Sequence, residues 1–443
     1  MASAAEQLAA NINFSAFAKA TDLKRRILFT LGALLIYRLG TYIPLPGINA
    51  EALAEVFQRN QSGIIGMFDM FAGGAVGRMA IFALNIMPYI SAAIIMQLMT
   101  AVSPHLEQLK KEGESGRKQI NQYTRYGTVL LAALQGYGIA VGLEGAGNVV
   151  VDPGLYFRIS AVITLVGGTV FLMWLGEQVT ARGIGNGISL IIFAGIIAEM
   201  PSAMANTLEL GRQGALSTWI IFAIAVMAIV VVAFIVFMER AQRRLLIQYP
   251  KRQVGNRMFG GDSSHLPLKL NTAGVIPPIF ASSLLLMPVT VANFSSGQGP
   301  EWLTTVTALL GRGQPLYLAL YIGGIVFFAF FYTAIVFNPS DTADNLKKYG
   351  GFVPGIRPGE RTAQHLDYVL TRITVAGAAY LAAVCLLPEI LISYAAVPFY
   401  FGGTSLLIVV SVTMDTVSQV QSHLLAHQYE GLVKRSRLRG RRR

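Results

Sequence analysis

His423 and His427 stand four residues apart, a spacing that puts two imidazoles on one helix face and would suit a metal ion. Without carboxylates beside them, a plain helix surface accounts for them better. Gly183-Ile184-Gly185-Asn186-Gly187 carries the glycines that let backbone amides close on a phosphate, but it follows an apolar stretch rather than a strand. No GxxxxGK[ST] phosphate loop and no HExxH zinc motif is present. Asp69 and Asp415 lie in or beside apolar segments, and neither has an obvious partner of the kind an ion-coupled transporter needs. All five histidines fall outside the apolar spans, so the Ser–His pair of an intramembrane protease is missing. Cys385 is the single cysteine, which excludes an internal disulfide and suits a packed or lipid-facing position. The residues therefore predict no enzyme, no cofactor and no metal.

What remains is the framework. The chain is 53% hydrophobic and only 13% charged, against about 25% charged in soluble domains. That composition is a polytopic membrane protein. Hydropathy predicts ten spans, near residues 27–43, 75–101, 126–143, 157–176, 186–205, 217–238, 273–293, 317–337, 372–391 and 401–419. Residues 1–23 lack an apolar run before Lys24-Arg25-Arg26, which predicts an uncleaved first span. Residues 12–26 suit a short amphipathic helix on the inner surface. With the N-terminus inside, most of the 35 Lys and Arg residues fall on inner loops and tails, so both termini are expected in the cytoplasm. Arg38, near the outer end of the first span, is expected to snorkel or pair.

Residues 63–72 form an apolar piece too short to cross a hydrocarbon core, joined by Gly73-Gly74 to the second span. Its open backbone ends need protein or a water-filled cavity around them. The same piece is equally consistent with a helix lying at the bilayer interface. Ten spans divide as five and five, and an odd number per half inverts the second half relative to the first. The expected divisions are a cytoplasmic segment 1–26, an N-terminal half 27–205, a C-terminal half 206–420 and a basic tail 421–443. The inner loops 239–270 and 338–367 belong to the C-terminal half.

Five stretches are more specific. They are Ile81 to Ser91 with Gln97, Met173 to Gln178 continuing through Arg182 to Ser189, Thr342 to Lys348, Pro354 to Glu360, and Pro398 to Leu406. Together they resemble the SecY family of protein-conducting channel subunits from about residue 20 to 430. Asn85 departs from the pattern, standing where the family usually has glycine.

The resemblance implies an all-α fold of ten transmembrane helices in two inverted, pseudo-symmetric halves, with a re-entrant plug helix and a lateral gate. It implies a pore ring of Ile86, Ile90, Ile188, Ile192, Ile279 and Ile408. Ile86/Ile90 and Ile188/Ile192 are i,i+4 pairs, so each pair shares one helix face. Branched apolar side chains at a narrow waist exclude water and ions by dewetting. The plug falls on about 63–73, with Ile64, Ile65, Met67, Phe68, Met70 and Phe71. Gln97 and Asn271 stand as polar residues of the lateral gate. Arg243, Arg244, Lys251, Arg252, Arg257 and Arg357 correspond to motor- and ribosome-docking positions, where contact with ribosomal RNA would be salt-sensitive. The same charges also suit topology and anionic membrane lipid. Implied partners are SecE, SecG, the SecA ATPase, the ribosome, signal-bearing precursor proteins, SecDF and YidC. The implied location is the bacterial inner membrane. Two alternatives are a solute transporter with a broken-helix substrate site and a scaffold that only anchors ribosomes.

Overall fold

A computed structural model describes residues 21–60, 69, 72–145, 149–214, 217–250, 252–254, 257–259, 263–294, 309, 314–395 and 403–440. Thirteen helices stand out among them. They are α1 (Thr21–Gly40), α2 (Ala50–Asn60), α3 (Met87–Val102), α4 (Pro104–Lys111), α5 (Glu114–Gly145), α6 (Leu155–Arg182) and α7 (Gly187–Arg212). After these come α8 (Thr218–Arg240), α9 (Ile276–Phe294), α10 (Pro315–Val336), α11 (Pro339–Lys348), α12 (Glu360–Ala395) and α13 (Gly403–Gly440). Each of the ten predicted spans is met by a helix. Among the described residues seven helices are long and apolar enough to cross a membrane, or eight with one bent pair counted as a span. The fold is a mostly helical, multi-pass membrane architecture.

The second span departs from expectation. It was expected over 75–101, yet α3 begins only at Met87. Residues 75–86 are instead a chain of turns, with Met79 at φ 42° and Asn85 at φ 49°. Left-handed backbone cannot continue a right-handed helix. Pro88, in the first turn of α3, is tolerated there because its missing N–H would be unpaired anyway. At the other end Ser103 is extended (φ −92°, ψ 119°) because Pro104 follows it. The axis turns by 98° between α3 and α4.

Several helices outrun their apolar portions. α5 starts ahead of its apolar portion and carries Arg117 and Lys118, and α12 and α13 likewise extend past the expected limits. The i→i−4 ladder has no reason to stop at the hydrocarbon boundary when the following residues are good helix formers. The chain between α8 and α9 holds strands β1 (Gln242–Gln248), β2 (Arg252–Val254), β3 (Arg257–Phe259) and β4 (Ser263–Lys269). β1 pairs antiparallel with β4 from Gln242↔Lys269 to Gln248↔Ser263, and β2 with β3.

The chain forms two compact units. One holds the described residues up to Ser202, those of Thr290–Thr304 and those from Val412 onward; the other holds those of Ala203–Val289 and Thr305–Ser411. In the first, Tyr37, Phe82, Phe171 and Trp174 make a ladder of rings 5.8–6.2 Å apart. It ties α1, the turn chain and α6 together. Leu53, Leu84, Ala132, Ala140 and Leu165 belong to the buried cluster that joins α2, α5 and α6. In the second, Leu245 and Leu268 from the hairpin meet Ala343 of α11 and Leu366, Val369 and Ile373 of α12.

Candidate functional site

In the first unit Ile86 is fully buried at the N-cap of α3, and Ile90 one turn later is buried too. The Ile90 amide donates to the Ile86 carbonyl at 3.1 Å, which fixes their shared face. On α7 Ile192 is buried and Ile188 half-buried. The start of α7 is held by the glycine-rich loop. Ile184 N–H donates to Thr30 Oγ1 (3.1 Å), Gly185 N–H to Gln419 Oε1 (2.9 Å) and Gly187 N–H to Thr180 Oγ1 (2.9 Å). Asn186 Oδ1 accepts from Ile188 N–H at 3.1 Å. These amides are bonded within the chain, so the loop anchors a helix rather than cradling a phosphate. A Cβ on Gly187 would stand 2.0 Å from the Gly176 carbonyl oxygen, so α6 and α7 cross where only glycine fits.

In the second unit Ile279 is half-buried near the start of α9, and its carbonyl accepts from the Ser282 and Ser283 hydroxyls at 2.9 and 2.8 Å. Ile408 is buried in α13. Cys385 is buried as well, within 3.8 Å of Thr404 Oγ1, and that hydroxyl also bonds Tyr321 at 2.6 Å. It is a packed side chain.

Ile64, Ile65, Met67, Phe68, Met70 and Phe71 lie outside the described residues. The chain that follows them is tightly held. The Gly73 carbonyl accepts from two guanidiniums, Arg38 Nη1 and Arg78 Nη2, the latter at 2.9 Å. Both guanidiniums stack on the Tyr42 ring, 4.9 and 4.3 Å from its centroid. Tyr37 donates its hydroxyl to the Ala72 carbonyl at 3.3 Å, and Asp69 Oδ1 accepts from the Gly77 amide at 2.7 Å. Gly73 and Gly74 have φ 65° and 77°, the left-handed region that a double glycine supplies. Arg38 pairs rather than snorkels. Arg78 escaped the sequence-based expectations, although an arginine in an otherwise apolar run is a usable signal.

Gln97 is half-buried on α3, and its Oε1 has no hydrogen-bond partner among the described residues. Asn271 is buried, 5% exposed. Its Nδ2 donates to Glu239 Oε1 at 2.7 Å and to the Gly274 carbonyl at 3.1 Å. Glu239 is the second residue that the spacing alone did not single out.

Of the basic positions, Arg243 and Arg244 are exposed on β1 and Arg357 is exposed in the turn before α12. Arg252 lies on β2 opposite Phe259, and Arg257 on β3 opposite Val254. Lys251 is outside the described residues. Gln248 and Phe352 exchange backbone hydrogen bonds of 2.9 and 3.0 Å, so the chain after α8 and the chain after α11 are stitched together.

Comparison with known proteins is direct. The SecY family model matches residues 80–417. Protein translocase subunit SecY of Escherichia coli (strain K12) is 56% identical over 423 residues, which are 95% of this chain and 96% of that protein. Two solved structures share the fold. One, of a SecY protein whose plug domain stabilises the closed state of the translocation channel and maintains a membrane seal, has a TM-score of 0.61 at 19% identity, covering 90% of this chain and 92% of the other. The second, Sec61 in the canine ribosome–channel complex from the endoplasmic reticulum, has a TM-score of 0.59 at 18% identity with the same coverage. The solute-transporter alternative finds no support among these relatives.

Proposed function

The chain belongs to the SecY family, and on that premise we propose that it is the pore-forming subunit of a protein-conducting channel in the bacterial inner membrane. The observation that carries this is the 56% identity, over nearly the whole chain, to a translocase subunit. Unfolded, signal-bearing polypeptides pass through a waist made of Ile86, Ile90, Ile188, Ile192, Ile279 and Ile408. These side chains form no specific bonds with the passing chain, so sequence does not matter. At rest the same apolar surface sheds water and blocks ions.

Residues 63–73 act as the plug, held at one end by the Arg38–Arg78 bonds to Gly73. Gln97 and Asn271 stand at a lateral gate through which apolar segments leave for the lipid. The chain catalyses no reaction, and both of its termini face the cytoplasm. Energy comes from SecA, the ribosome or the proton-motive force. SecE clamps the halves and SecG is peripheral. The exposed Arg243, Arg244 and Arg357 support docking of the motor and the ribosome, and the ribosome-bound Sec61 relative supports the latter.

The test is reconstitution with SecE in vesicles, with SecA, ATP and a signal-bearing precursor. Protease protection of the precursor that requires ATP and the signal is expected. No protection by a folded complex overturns the proposal.

A further inference from the structure

Glu239 lies in the last turn of α8, where the unpaired carbonyls of the helix end repel a carboxylate. An acidic side chain kept in such a place needs a compensating donor. One donor is the Asn271 amide at 2.7 Å, and Lys269 and Ser411 also lie close enough to favour the charged carboxylate. Backbone on either side locks this pairing in. Leu270 N–H donates to the Ala241 carbonyl at 2.9 Å, extending the β1–β4 ladder up to Asn271. Asn271 also closes the turn that leads into α9 by donating to the Gly274 carbonyl at 3.1 Å. α12 presses on the same backbone, since a Cβ on Gly377 would meet the Leu270 carbonyl oxygen at 2.6 Å and the Asn271 Cα at 3.7 Å. Asn271 is thus held from three sides, with both N–H donors of its amide engaged, so it has to give up Glu239 or Gly274 before it can donate to another group.

The geometry points to Glu239 as a positioning residue for the gate: its carboxylate tethers the Asn271 amide and so sets how readily the start of α9 moves. This rests on the proposed gate role of Asn271. Glu239 touches no transported chain; it acts through Asn271.

The experiment compares the reconstituted full complex carrying E239L, E239Q, N271D or the pair E239Q/N271D. The readout is the ratio of protection of a signal-defective precursor to that of its signal-bearing parent. E239L removes the acceptor and is expected to raise the ratio about 3- to 30-fold, the range that one interhelical hydrogen bond carries in a membrane. E239Q keeps an acceptor oxygen and stays near the unmodified ratio. N271D sets two carboxylates face to face and raises the ratio most. E239Q/N271D restores a donor–acceptor pair with its direction reversed and returns the ratio toward the unmodified value. General loosening of the fold does not produce such a rescue.

An unchanged ratio in E239L, or a double variant at least as leaky as N271D, overturns the inference and leaves the channel proposal standing. If E239L fails to fold, N271D and its rescue still decide. Absence of any protection by the unmodified complex sinks the channel proposal instead, which separates the two failures.

Discussion

The Gly73 carbonyl takes hydrogen bonds from two guanidiniums, and Arg38→Met removes one while keeping most of the side chain's length and apolar stem. A hydrogen bond from a charged group is worth about 1.5–3 kcal/mol. Every ~1.4 kcal/mol is a factor of ten in an equilibrium, so losing the bond would release the segment before Gly73 about 10- to 100-fold more often. Two features of the structure set the figure at the lower end. Arg78 Nη2 remains on the same carbonyl at 2.9 Å, and Arg38 is only half-buried. The expected change is therefore about tenfold. Arg38→Met/Arg78→Met, which loses both donors, should exceed the product of the two single effects, because each single variant keeps the other's support. The assay is conductance in planar bilayers without SecA or precursor, scored as the fraction of time open. Deletion of 63–73 sets the upper limit; it is expected to leave transport possible while the resting channel leaks ions. Two results refute the reasoning: an ion-tight deletion denies these residues a sealing role, and a leaky deletion beside an ion-tight double arginine variant denies the anchor.

Three further outcomes are expected. Asn85→Val places a β-branched residue at φ 49° and should destabilise the complex by about 1–2 kcal/mol, read as a lower thermal midpoint, whereas Asn85→Gly should stay within about 1 kcal/mol of the unmodified chain. Arg357→Glu should impair SecA-driven export more than membrane insertion of the protein itself; equal loss of both would indicate misfolding. Leu268→Ala empties a buried position between the hairpin and α12 at a cost of about 2–5 kcal/mol, and should weaken ribosome binding although no charge is altered; unchanged binding would show that the hairpin does not present the basic residues.

The spans were legible because long apolar runs have few alternatives, and each of the ten predicted runs contains a helix, the second only from Met87 onward. The start of α3 was not, because residues 75–86 are as apolar as a helix and hydropathy is blind to backbone handedness. The available clues were Asn85, which tolerates the left-handed region better than most residues, and Pro88 just beyond it. β1 was hidden by its charges, although Leu245 and Ile247 already alternate with exposed neighbours. Arg78 and Glu239 were missed for a different reason. Their partners, the Gly73 carbonyl and the Asn271 amide, are a backbone atom and a residue 32 positions away, and spacing rules reach neither.

The paired backbone bonds between Gln248 and Phe352 have a consequence for recognition. They tie β1 and the chain at Phe352, far apart in sequence, into one unit, so that under the proposed docking role this surface would be set before any partner arrives. Ordering flexible loops at an interface normally subtracts from affinity, and here that loss falls within folding rather than docking. On the docking role proposed for them, Arg243 on one loop and Arg357 on the other would act as two prongs of one clamp. A partner that grips one prong meets the second at a high effective concentration. Cutting the stitch should turn a single slow release into two fast, independent ones.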